Sequence, residues 1–183
     1  MLTLETERLI LREWRESDFE PYSKICADAE VMRYLGGKAF TRLEAWRHMA
    51  FFVGHWQLRG YGHWVIEERA SGKMIGRLGF LYPEGWPAFE IGWTLARDSW
   101  GKGYATEGAR RALQFAFTEM GRDHVISLIH PENRASIRVA ERLGEKVEGE
   151  TEVFGIPVLI YGISKERWEK QESGVRIQNT EGD

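Results

Sequence analysis

The chemistry in this 183-residue chain is concentrated between Ser99 and Glu107, in the run Ser-Trp-Gly-Lys-Gly-Tyr-Ala-Thr-Glu. Gly101 and Gly103 have no Cβ, so the backbone there can take unusual dihedrals and let a ligand approach closely. A short apolar run, Trp93-Thr94-Leu95, leads into the turn, and a helical pattern starts at Ala105. The first amides of a helix have no intrahelical acceptor and sit at the positive end of its dipole. A strand, a glycine loop and a helix N-terminus together form a phosphate cradle, suited to a pyrophosphate-bearing cofactor. Two familiar cradles do not match. A Walker loop needs Ser or Thr after its lysine, whereas Gly103-Tyr104 follows Lys102. A dinucleotide fingerprint needs a third glycine and an opening βαβ unit; Thr106 occupies that glycine position and the chain opens otherwise.

A second group of residues runs from His130 to Ala140. Asn133 and Ser136 are three apart, which puts them on one face of a helix, and Asn133 is equally suited to cap that helix. Candidate acids are Glu90, on a predicted strand just before the glycine loop, and Glu150 and Glu152 on a later strand. Arg134, Arg138 and Arg142 make an i, i+4, i+8 stripe, read as a solvated face paired with Glu141 and Glu145.

The loop resembles the acetyl-CoA loop of the GNAT superfamily of N-acetyltransferases, Gln/Arg-x-x-Gly-x-Gly/Ala. Gly103 and Ala105 fill the last two fixed positions, while Trp100 stands where Gln or Arg is usual. The form Trp-Gly-Lys-Gly-Tyr-Ala-Thr-Glu is typical of the branch resembling ribosomal-protein N-acetyltransferases. Glu7-Arg8-Leu9-Ile10-Leu11-Arg12 and Phe89-Glu90-Ile91-Gly92-Trp93 extend the resemblance over about residues 3 to 168. It implies an α+β GNAT fold, a mixed, mostly antiparallel sheet splayed between its fourth and fifth strands and flanked by helices. It implies acetyl-CoA as co-substrate, with no metal, and a primary amine as acceptor: a protein N-terminal α-amine or a small molecule.

The same resemblance distributes roles. The pantetheine arm pairs with the backbone of Trp93, Thr94 and Leu95. Gly101, Lys102, Gly103, Tyr104, Ala105 and Thr106 receive the pyrophosphate, with Lys102 able to pair with a phosphate. Asn133 bridges to pantetheine amides, and Ser136 protonates or hydrogen-bonds the departing thiolate. Arg138 is a candidate for the 3′-phosphate. Glu90 is the favoured general base, directly or through water, with Glu150 and Glu152 as rivals. Glu145 departs from the family, where an apolar residue usually follows Leu-Gly. Tyr34, Trp46, Trp56, His63, Trp64, Tyr82 and Trp86 are candidate walls of the acceptor site. A non-catalytic acyl-CoA sensor on the same fold would keep the loop and need neither Glu90 nor Ser136.

The elements that must position these residues follow from periodicity and turn chemistry. A first strand is expected within residues 6–14, then a helix over 19–28 capped by Asp18. A second helix is expected over 41–59, with Thr41 and Glu44 as a capping box and Leu43, Trp46, Met49, Phe52, Val53 and Trp56 at helical spacing. Strands follow at 63–67, 74–82 and 88–95, a helix over 104–120, a strand at 124–129 and a helix ending at Gly144. A final pair, 147–154 and 158–164, turns around Gly155-Ile156-Pro157. Residues 1–172 read as one domain, and 173–183 as a polar, aperiodic, flexible tail.

Composition bounds the remainder. A net charge of −3 with mixed signs argues against a nucleic-acid binder. No apolar run approaches the length of a membrane helix. Cys26 is the only cysteine, so no internal disulfide forms and a cytoplasmic setting fits; it reads as a small hydrophobe on an early helix. The five histidines show no metal-ligand spacing. An apolar tip on the last hairpin suggests packing against substrate or a second subunit in a homodimer.

Overall fold

The computed structural model describes residues 2–180, with side chains through residue 174. The chain forms two compact units, residues 1–112 and 113–183.

The first unit contains β1 (Leu4–Glu5), β2 (Leu9–Arg12), α1 (Phe19–Ala27), α2 (Ala29–Met32), α3 (Arg42–Arg59), β3 (His63–Glu68), β4 (Lys73–Leu81), β5 (Glu90–Leu95) and the start of α4 (Tyr104–Thr118). Its strands pair in sequence order, each antiparallel to the next. Alternation along the strands gives the sheet two buried faces. Trp64, Ile66, Leu78, Phe80 and Ile91 are fully buried on one face, where Gly108 of α4 approaches the Leu78 side chain so closely that a Cβ would stand 3.2 Å from it. His63, Val65, Arg77, Glu90 and Thr94 share the other face, which α1 and α3 cover with Tyr22, Cys26, Ala45 and Phe52. In the second unit, β6 (His124–Ile129), β8 (Ile156–Ser164) and β7 (Lys146–Val153) form an antiparallel ladder in that order, with α5 (Arg134–Leu143) and α6 (Lys165–Thr180).

Local signals explain several of these boundaries. Thr41 and Glu44 form the expected capping box at the start of α3, and Gly60 ends it in the left-handed conformation. Gly144 ends α5 in the same way. Other expectations need correction. The expected first strand is present as β2, and a short β1 that was not expected precedes it and pairs antiparallel with it, the chain turning where the Thr6 hydroxyl accepts from the Leu9 amide at 2.9 Å. Asp18 makes no side-chain cap to α1; its carboxylate instead accepts from the Arg12 guanidinium at 2.8 Å and from the Arg15 amide at 2.7 Å. The buried stripe of α3 is Ala45, Phe52 and His55, whereas Leu43, Trp46 and Val53 face solvent. The β7–β8 turn is Phe154-Gly155, both at positive φ (51° and 78°), one residue earlier than read. Glu145 is fully buried and therefore not part of a solvated stripe with Arg134, Arg138 and Arg142. α6 runs to Thr180, through most of the stretch read as an aperiodic tail; residues 181–183 lie outside the described residues. Among the described residues no helix is long and apolar enough to cross a membrane.

Candidate active site

The glycine loop joins β5 to α4. Gly101 and Gly103 hold φ of 73° and 82°, a region that glycine enters without the Cβ clash other residues incur. The first bond of the α4 ladder is Glu107 N–H to the Gly103 carbonyl at 3.0 Å. The amides of Tyr104, Ala105 and Thr106 therefore precede the ladder, as an anion-binding helix start requires. Thr106 Oγ1 is buried there with no hydrogen-bond partner among the described residues. The loop is clamped from the other side. Arg8 donates to the Lys102 carbonyl at 3.0 Å and to Glu107 at 2.6 Å, and Glu107 also accepts from the Thr6 hydroxyl at 2.6 Å. Burial pushes the Glu107 carboxyl up, but the bonds from Thr6 and Arg8 outweigh it and hold the group below its ordinary value. The Tyr104 hydroxyl donates to Glu68, and Trp100 Nε1 donates to the Leu95 carbonyl at 2.9 Å, tying the loop to the end of β5.

β5 presents Glu90, Gly92 and Thr94 on one face and Ile91, Trp93 and Leu95 on the other. Glu90 is 8% exposed, and its Oε2 accepts from Trp86 Nε1 at 2.5 Å. Gly92 is paired with Gly79, which is paired with His63. The imidazole of His63 stacks on Phe52 at 4.9 Å and receives Arg77 Nη1 at 2.7 Å on Nδ1. Burial drives the His63 ring well below the ordinary histidine range, and the Arg77 charge adds to it. Burial likewise pushes His48 down to about 3 and lowers His55, whose Nδ1 meets the Tyr61 carbonyl at 2.8 Å. Cys26 is buried on α1, and burial pushes its thiol up.

In the second unit, Asn133 caps α5, its Oδ1 accepting the Ser136 amide at 3.1 Å. The two residues share the first turn of that helix, with Ser136 half-buried. Glu150 and Glu152 lie exposed on β7, paired with Leu159 and Pro157. Among the described residues no cluster of three or more His, Cys, Asp or Glu could hold a metal ion.

The acetyltransferase (GNAT) domain family matches residues 8–146. The chain belongs to the GNAT acetyltransferase family. It is an N-acetyltransferase of the α+β GNAT fold that uses acetyl-CoA. An uncharacterized N-acetyltransferase, p20 of Bacillus licheniformis, is 30% identical over 151 residues, covering 81% of this chain and 85% of the relative. The crystal structure of an acetyltransferase from Agrobacterium tumefaciens superimposes with a TM-score of 0.80 at 29% identity, covering 89% of this chain and 94% of that one. The fold is also shared with ribosomal-protein-S5-alanine acetyltransferase from Vibrio fischeri, at a TM-score of 0.72 and 17% identity over 92% and 99% of the two chains.

Within this GNAT chain, Glu90, Trp93, Thr94 and Leu95 lie on β5, Gly101, Lys102 and Gly103 in the turn after it, and Tyr104, Ala105 and Thr106 in the first turn of α4. Asn133 caps α5 and Ser136 lies in its first turn. Of the candidate acceptor walls, Trp64 is excluded: it is fully buried on the opposite sheet face and packs edge-on against Phe80. Trp56 is drawn inward, donating to the His63 carbonyl at 2.9 Å. Sequence reasoning missed the loop clamp of Thr6, Arg8, Glu68 and Glu107, although Glu7-Arg8 stood in the branch signature. It also missed Arg77 and its contact with His63, for which strand register was the necessary signal.

Proposed function

We propose that this enzyme acetylates a primary amine by direct attack within a ternary complex, with Glu90 as general base. The observation carrying this reading is the buried Glu90 carboxyl, oriented by Trp86 on the strand that runs into the glycine loop. Only the neutral amine attacks a thioester, so removing the ammonium proton sets reactivity. A reference α-amine loses that proton about 2.5 pKa units more readily than a lysine, roughly 3.5 kcal/mol. General-base assistance then contributes on the order of 10²- to 10⁴-fold. Glu150 and Glu152 are weaker candidates, being exposed on β7.

When bound, acetyl-CoA supplies the thioester acetyl group and a thiol leaving group. The amides from Gly101 to Thr106, backed by Lys102, would hold its pyrophosphate, and the backbone of Trp93, Thr94 and Leu95 its pantetheine arm. Asn133 keeps its side-chain NH₂ available while Oδ1 caps α5, which is compatible with bridging pantetheine amides. Ser136 would serve the departing thiolate. The acceptor is a protein N-terminal α-amine or a small-molecule amine. Tyr34, Tyr82 and Trp86 of the first unit remain candidate walls, and Phe154, 90% exposed at the β7–β8 tip, suits contact with an acceptor or a second copy.

The competing reading, a non-catalytic acyl-CoA sensor, would leave the buried Glu90 without a task. Thiol release from acetyl-CoA, screened over peptides with free N-termini and small primary amines, separates the two. Release with at least one amine is expected; CoA binding without release across the panel would favour the sensor.

A further inference from the structure

The floor beside Glu90 holds two groups that the transfer as described does not use. His63 is 1% exposed and Arg77 is 7% exposed. Arg77 Nη1 lies 2.7 Å from His63 Nδ1. A guanidinium can only donate, so Nδ1 is the acceptor and the proton of the neutral ring sits on Nε2. His63 Nε2 is buried and has no hydrogen-bond partner among the described residues, a state that calls for an explanation. It lies 3.5 Å from the position a Cβ on Gly92 would occupy, and Glu90 Oε1 lies 3.6 Å from that same position. Glycine at 92 therefore leaves open a space that both His63 Nε2 and Glu90 Oε1 border.

The ring plane and the backbone of His63 are both held. Phe52 stacks on it with an interplanar angle of 16°. The indoles of Trp14 and Trp56 both donate to the His63 carbonyl, at 2.7 and 2.9 Å. Among the described residues no carboxylate pairs directly with Arg77, whose guanidinium carbon sits 4.6 Å over the Phe52 ring. A buried cation without a counter-charge is costly, and Glu90 is the acid at the far side of the imidazole.

We propose that Arg77 and His63 are positioning residues for Glu90: Arg77 locks His63 as the Nε2–H tautomer, and that N–H, bordering the same open space at Gly92 as Glu90 Oε1, favours the ionised carboxylate through space. The inference rests on Glu90 being the general base. An arginine in direct contact would hold a carboxylate too tightly to accept a proton at neutral pH; a neutral imidazole between them passes on a weaker field. The titratable and charged groups that face the ring are Arg77 from β4 and His48 and His55 from α3, with Tyr22 and Cys26 of α1 beside Arg77 and Glu90 of β5 bordering the same space at Gly92.

The test is the titration of the Glu90 carboxyl, followed by ¹³C NMR in the protein without acceptor. In His63→Leu and Arg77→Met its midpoint should rise by roughly one pH unit or more, while His63→Gln, which retains an acceptor and a donor, stays near wild type. Gly92→Ala, whose methyl meets its neighbours at 3.4 Å or more, should fold normally and move the midpoint in the same direction. A midpoint unmoved in all of them overturns the proposal and leaves Glu90 as base intact. The pH–rate profile of thiol release separates the two failures: an acidic limb that persists in Glu90→Gln removes Glu90 as base, and the proposal with it. Should the variants not fold, ¹⁵N NMR of wild type decides, since the His63 proton is expected on Nε2 and its presence on Nδ1 would overturn the assignment.

Discussion

The glycine loop follows β5, the strand that carries Glu90, yet the loop and the floor beside Glu90 are built in opposite ways. The loop offers backbone amides, made available by two glycines at positive φ and by the start of α4. Its clamp is an external, partly exposed set of side chains led by Arg8 and Glu107. The floor offers side chains, His63, Arg77 and Glu90, one from each of three adjacent strands and all buried. Backbone recognition suits a donor whose phosphates and pantetheine carry the same polar groups in every turnover. Side-chain chemistry suits a proton that must be taken at a defined pH.

The sharpest break between the two is Glu90→Gln, which should lower turnover by about 10²- to 10⁴-fold while CoA affinity stays near wild type. Unaltered turnover would remove Glu90 as base. Gly103→Trp is the converse, since its φ of 82° penalises any side chain and the indole would block approach to the amides. CoA affinity should fall by roughly tenfold or more, from backbone cost alone of about 1–2 kcal/mol; unchanged affinity in a calorimetric titration would sink the loop assignment.

A pH experiment probes the sealed side. Burial holds His48 at about 3 and keeps His55 and His63 below their ordinary value, whereas the unfolded chain protonates near pH 6.5. The unfolded state then binds more protons below that pH. Stability is fully present above about pH 6.5 and should fall as the pH drops, by up to roughly 1.4 kcal/mol per pH unit for each such histidine. Tm measured from pH 7.5 to about 5 should decline, less steeply in His48→Phe; a flat profile would contradict the buried neutral state. The smallest effect belongs to the exposed clamp. Arg8→Met should weaken CoA binding only a few-fold and cost about 1 kcal/mol or less in unfolding measurements, and a larger loss would mean the loop cannot stand without it.

What could be read in advance follows the same division. The loop is local in sequence, so its glycines, helix start and cofactor class were legible as one run. The capping box at Thr41 and Glu44 and the glycine stops at 60 and 144 are local too, and their elements fell where expected. The face of α3 did not, because His55 and Ala45 turn inward while a count of large apolar residues favours Trp46 and Leu43. α6 escaped because, among its described side chains, the signal is charge pairs one turn apart, Lys165 with Glu169 and Glu166 with Lys170, around the buried Trp168. The floor was least legible. His63 was read as one wall residue among seven, since its alignment with Gly79 and Gly92 exists only once β3, β4 and β5 are in register.

The most direct test of the enzyme's activity is thiol release from acetyl-CoA across peptides with free N-termini and small primary amines, with the product followed by mass spectrometry. An N-acetyltransferase working through Glu90 predicts at least one amine that gains a single acetyl group in step with thiol release, and loss of that turnover in Glu90→Gln with CoA still bound. CoA binding with no acetylated amine, or full turnover in Glu90→Gln, would contradict it.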